Sequence, residues 1–79
     1  MPRYFTHLID GEDRTLDPDG TEMPAEAVEL HALLNARGCI AEDARDGVID
    51  LHLRLEVHDE AGTVVHELSF ADAVTIKNA

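Results

Sequence analysis

The sequence predicts an α+β domain: a small antiparallel sheet of three to four strands, in the order β-β-α-β-β, with one long amphipathic helix packed on one face. Three observations predict it. Ile49, Leu51, Leu53, Leu55 and Val57 alternate with Asp50, His52, Arg54, Glu56 and His58, the period of a strand with one dry and one wet face. From Pro24 to Asp46 apolar residues recur at helical spacing, and Gly47 follows as a stop. Between these runs lie the turn signals Asp10-Gly11, Asp17-Pro18-Asp19-Gly20 and Asp59-Glu60-Ala61-Gly62.

Pro2 to Ile9 reads as the first strand, because Tyr4, Phe5, Thr6, Leu8 and Ile9 favour extended backbone. Thr15 and Leu16 supply a short return strand. Pro24 suits the first turn of the helix, and Glu26 and Glu29 suit the positive pole of its dipole. Ala27, Leu30, Leu33, Leu34, Ile40, Ala41 and Ala44 fall on one side and are expected to face the sheet. Arg37 interrupts that stripe and Gly38 lies at its edge. Gly38 is read as allowing close approach to the sheet, and Arg37 as reaching out to water along a buried stem. Asp50 to His58 is the third strand and Thr63 to Phe70 the fourth, with Leu68 and Phe70 marking its core side. Val74 and Ile76 are placed at the core edge.

The 79 residues make a single domain, 1–79, and 44% hydrophobic content is enough for a core. A chain this short buries only about 60% of its unfolded surface, so a homodimer contact would relieve a small core. Six Lys and Arg against 17 Asp and Glu give a formal charge of −11. Such a chain is repelled by nucleic acid and by anionic membrane, which excludes direct binding to either, and it allows a basic protein partner. No apolar run approaches the about 20 residues that span a bilayer, and no signal peptide is seen; the expected location is the cytoplasm. Cys39 is the single cysteine and reads as a small apolar residue.

The segment Arg3-Tyr4-Phe5-Thr6-His7-Leu8-Ile9-Asp10-Gly11, the helix end Ala41 to Gly47, the hairpin around Asp59-Glu60-Ala61-Gly62 and the stretch Leu68 to Val74 together resemble a family of small uncharacterised bacterial domains of unknown function. The resemblance covers nearly the whole chain. It implies a stand-alone cytoplasmic domain and carries over no catalytic residue. This chain departs from the family pattern at Thr6, where an aromatic is frequent, and at His66, where an aliphatic is frequent.

Five histidines, His7, His31, His52, His58 and His66, raise a metal-binding reading. His7 meeting His52 across the sheet, with Glu56 or Glu67 beside them, would be its core, but no close-spaced ligand motif supports it. His52 and His58 lie too far apart on one strand to share an ion. Asp17, Asp19, Gly20 and Glu26 imitate part of a calcium loop, but Thr15 and Glu22 break the template and a turn explains them better. His66 looks inward and reads as a hydrogen-bonded sheet-edge residue. No phosphate loop or nucleophile elbow is present, so catalytic, cofactor and metal residues are expected to be none. The leading reading is a non-catalytic, self-associating interaction or accessory module, with the contact on the sheet face bearing Phe5, His7 and Val65 or along the strand carrying Arg54 and Glu56. The rivals are an acidic inhibitor or nucleic-acid mimic and a small histidine-based metal-binding protein.

Overall fold

The computed structural model describes residues 1–78. Strand β1 (Arg3–Asp10) turns at Gly11-Glu12 into β2 (Asp13–Thr15), and β3 (Thr21–Glu22) follows. A 3-10 turn at Ala25–Ala27 leads into α1 (Val28–Asp46). Strands β4 (Arg54–His58) and β5 (Val64–Ser69) form a hairpin, and α2 (Phe70–Ala73) follows. All pairings are antiparallel, in the order β2-β1-β4-β5, with β3 on the same margin of β1 as β2 but at its other end. The fold is α+β as the sequence predicts, with five strands rather than three or four. The two-residue β3, which pairs Thr21 with Tyr4 and Glu22 with Arg3, is the one the sequence pattern does not announce.

The fifth-strand hairpin ends where Asp59 organises the turn. Its Oδ1 accepts from the N–H groups of Ala61 and Thr63 at 3.0 and 2.9 Å. Glu60 Oε1 accepts from the Arg3 N–H at 3.0 Å and ties the turn to the start of β1. The β4–β5 register shifts between Val57 and His58: Val57 pairs with His66 and His58 with Val64, so Val65 has no ladder partner on β4. This is a β-bulge, which adds twist at that point.

The alternation from Ile49 to Val57 is only half a strand. The ladder begins at Arg54, because Asp50 Oδ1 accepts from the His52 N–H at 2.9 Å and bends the backbone into a turn. Leu51 and Leu53 still pack against the core, whereas Ile49 is 43% exposed, so the dry face holds from Leu51 onward while the pairing begins only at Arg54. As a consequence β4 lies in the interior of the sheet, between β1 and β5, and cannot serve as the edge strand for self-pairing. The strand expected over Thr63 to Phe70 is β5, which stops at Ser69. Its Oγ accepts from the Asp72 N–H at 3.2 Å and starts α2, and Phe70 N–H bonds to Leu53 O at 2.9 Å.

Two apolar clusters fill the space between α1 and the sheet. The first joins Tyr4, Met23, Val28, Ala32 and Val57; the second joins Ala36, Ile40, Leu55, Phe70 and Ala73, and Leu68 touches both. Val74 packs against the second cluster, whereas Ile76 is 65% exposed and takes no part in it. Leu8, Leu55, Val57 and Leu68 mark the helix-covered face by the two-residue alternation.

The face that α1 buries is narrower than its sequence suggests. Val28, Ala32, Ala36 and Ile40, each one turn apart, are its buried residues. Leu30 and Leu34, expected in the core, are 59% and 57% exposed. Ala41 and Ala44 are exposed too. Small alanines let the helix axis come close to the sheet, and a close axis is touched by fewer helix rows. Gly47 ends the helix at φ +88°, with its N–H on Ala44 O and the Val48 N–H on Asp43 O, both at 3.2 Å; this is the Schellman geometry, which glycine adopts without strain.

Gly38 does not face the sheet. It is exposed, α1 runs through it without a break, and nothing lies within 4 Å of a Cβ placed there. Arg37 reaches across to α2, where its Nε donates to Ala73 O at 2.8 Å. Gly38→Ala is therefore expected to stabilise the fold by about 0.5–1 kcal/mol, since alanine removes backbone entropy from the unfolded chain and fits the helix. Thermal melts at low protein concentration should rise by about 4 °C; an unchanged or lower midpoint would contradict an uncrowded helical site.

Candidate functional site

The richest set of interacting polar side chains lies on the open face of the sheet, opposite α1. Alternation puts Phe5, His7 and Ile9 of β1 there, and the register sets them against His58, Glu56 and Arg54 of β4. Arg14 of β2 pairs with Ile9 and joins the same face. Glu56 sits at the centre. Its side chain is 7% exposed, covered by the partners it binds. His58 Nε2 donates to Glu56 Oε1 at 3.1 Å, Arg54 Nη2 donates to Oε2 at 3.0 Å, and Arg14 Nη1 lies 4.0 Å from Oε1. The hydrogen bond from His58, helped by Arg54 and Arg14, holds the Glu56 carboxyl below its ordinary value against the opposing effect of burial.

His7 forms the second half of the arrangement. Its ring meets that of His58 edge to face, with centroids 4.6 Å apart. Its Nδ1 accepts from the Asp17 N–H at 3.0 Å, so the neutral ring carries its proton on Nε2. Asp17 reciprocates on the neighbouring residue: Oδ2 accepts from the Thr6 N–H at 3.2 Å, and Oδ1 from the Gly20 N–H at 3.1 Å. The segment 16–20 thus straps the middle of β1, between the stretches paired to β2 and β3. The Arg3 Nη1 bond to Asp19 O, at 2.8 Å, fastens its other end. Phe5 is half-buried beneath Gly20.

Burial lowers the His7 pKa below 6.5, and His58 lowers it further. For Asp17, burial would raise the carboxyl, but the backbone N–H groups of Thr6, Gly20 and Asp19 outweigh it and hold it below 3.8. The sign for stability follows. An unfolded chain takes up the His7 proton more readily than the folded one, so stability falls as pH drops through 6.5 toward the depressed folded value. A second loss follows below about 4.5, where Glu56 and Asp17 must be protonated. Urea midpoints measured from pH 8 to 2.5 should show the two stages, and His7→Gln should flatten the first. By NMR the Asp17 amide is expected to move with the His7 titration; an indifferent amide would break the link between ring and strap.

These positions revise the histidine reading. His52 lies in the turn before β4 with its side chain 99% exposed, beside Asp50 at 3.3 Å, and does not meet His7. The residues that do meet His7 are His58, Glu56 and Asp17. Among the described residues no three His, Cys, Asp or Glu side chains converge as metal ligands. Asp17 is engaged by backbone N–H groups, as a turn demands. The open face is likewise not a free apolar surface, since its own ion pairs and the strap cover most of Phe5 and His7. His66 pairs with Val57 and so shares the helix-covered face. It borders an open groove of about 350 Å³ with Tyr4, Ala25, Val28, Glu29 and Val65. Glu29 is the one carboxylate in that lining. The Cys39 thiol is pushed up by burial and by Asp43 and Glu42, which leaves it unreactive.

Glu56 as a covered carboxylate was missed by the sequence reading. The signal was available: Arg54 and His58 flank it at two-residue spacing, so all three project from one face. Arg14 and Asp17 come from loop and strand pairing that spacing alone does not reveal.

A family model described as a domain of unknown function (DUF6894) covers residues 3–71. No curated protein and no solved structure matches the chain. Among the described residues no helix is long and apolar enough to cross a membrane.

Proposed function

We propose, for a chain that belongs to the DUF6894 family of domains of unknown function, a non-catalytic interaction module of the cytoplasm that works by self-association. The observation that carries the proposal is the exposure of Leu30 and Leu34, 59% and 57%, one turn apart on the outer side of α1. Two such leucines side by side cost solvation in a chain that has few apolar residues to spare, and a second subunit is the simplest cover. The polar cluster around Glu56 supports the same reading from the other side. Its groups satisfy one another, and it faces outward from a sheet without a cleft, so it holds the strap rather than a substrate.

Light scattering from low to high micromolar concentration is expected to show a monomer–dimer equilibrium. Leu30→Glu combined with Leu34→Glu should leave the circular dichroism unchanged and hold the chain monomeric. A wild-type chain that stays monomeric throughout would remove the self-association reading.

A further inference from the structure

We infer that the strap 16–20 is a proton-operated latch: a proton taken up at Nδ1 of His7 frees the strap from β1 while the sheet and α1 stay folded. The device lies within one chain and needs no second copy. The strap's hold beside His7 requires an unprotonated nitrogen, because Nδ1 accepts from the Asp17 N–H at 3.0 Å. A protonated Nδ1 is a donor. Two N–H groups would then face each other across that distance, and the bond is lost.

The surroundings offer the new proton no free acceptor. His7 is faced by Asp17 from the strap, by Arg14 from β2, and by His58 and Glu56 from β4. Both Asp17 oxygens already accept, one from the Thr6 N–H and one from the Gly20 N–H. Turning either toward the imidazolium gives up one of the strap's own bonds. Glu56 is engaged by His58 and Arg54, and Arg14 and His58 both oppose a positive charge on His7.

The strap can also move alone. None of its five residues is buried, and none belongs to either apolar cluster. Beyond the bonds at His7 and Asp17, the Arg3 Nη1 bond to Asp19 O fastens it. The strands on either side of it, β2 and β3, keep their own ladders to β1. A segment held by side-chain bonds, with little apolar area beneath it, opens at less cost than the whole domain. Opening leaves the Thr6 N–H to water and uncovers the Phe5 ring that lies against Gly20. Acidification thus turns a face whose polar groups satisfy one another into one that bares a phenylalanine.

The test is hydrogen exchange by NMR on the full chain from about pH 7.5 to 5, corrected for the intrinsic pH dependence of exchange, with the His7 ring nitrogens followed in parallel. Protection of the Thr6, Asp17 and Gly20 amides is expected to fall as His7 titrates, by up to about tenfold per pH unit, while Val57 and Leu68 keep theirs. His7→Asn places a carboxamide oxygen near the position of Nδ1 and takes up no proton in this range, so its strap should stay protected throughout. His52→Asn, at a fully exposed side chain, should behave as the wild type. Strap amides that keep their protection while the His7 ring titrates would overturn the latch. So would loss of protection in step with Val57 and Leu68, which is unfolding of the whole domain, or an undiminished pH response in His7→Asn. The wild-type comparison decides by itself where the asparagine variant does not fold.

Discussion

Phe70→Ala is expected to lower the unfolding free energy by about 3–5 kcal/mol, the range for removing a fully buried phenylalanine. Phe70 is 0% exposed and belongs to the second apolar cluster, with Ala36, Ile40, Leu55 and Ala73. A chain of 79 residues has about 4–12 kcal/mol of stability in all, so the variant should lose about a quarter of that stability or more, and at the lower end of the range nearly all of it. The bond from the Phe70 backbone N–H to Leu53 O does not involve the side chain, so the expected loss is one of packing. Phe70→Leu, which keeps most of the volume, should cost less than half as much. Urea titration followed by circular dichroism decides the matter; a cost below 1 kcal/mol for the alanine variant would mean that the second cluster contributes little to the fold.

Gly20→Ala is expected to cost about 2–3 kcal/mol, because two penalties add. Gly20 has φ +68°, a conformation an L side chain resists. A Cβ there would also stand 2.8 Å from Tyr4 O and 2.9 Å from the Phe5 ring. The ring can turn aside, but the carbonyl oxygen belongs to β1 and cannot yield without disturbing the strand. The strap 16–20 should therefore lift. Amide exchange at Thr6 and Asp17 is expected to accelerate more than exchange in β4 and β5. Equal acceleration everywhere would mean that the strap unfolds only with the whole domain. Gly62, at φ +84° but with open space around it, provides the control: Gly62→Ala carries only the conformational penalty.

Much of this architecture was legible in the sequence, and the failures have specific causes. The helix and its end at Gly47 could be read, because the stop chemistry is local. Leu68 lies on the core side as strand alternation requires, and Phe70 is buried as expected although it begins α2 rather than ending the strand. The same alternation failed between Asp50 and Leu53, since it reports which side faces the core and not which residues find a partner; there the Asp50 carboxylate captures the backbone first. Leu30 and Leu34 were misplaced for a different reason. Apolar residues occupy a wider arc of α1 than one sheet can touch, and only the closeness imposed by Ala32 and Ala36 decides which of them are left out. The polar cluster shows the complementary limit. The charges of Arg54, Glu56 and His58 could be aligned from spacing, but the closing groups, Arg14 and Asp17, arrive through pairing that is non-local.

The register shift opposite Val57 and His58 has a consequence for the fate of the chain at high concentration. Fibril growth needs a flat template onto which identical segments stack in register. The outermost strand on one side is kinked by its extra valine, and on the other side the corresponding margin is broken into two short pieces with a carboxylate seated between them. Neither flank offers a continuous ladder for an incoming chain. In the folded state crowded neighbours therefore find no straight sheet edge on which to extend.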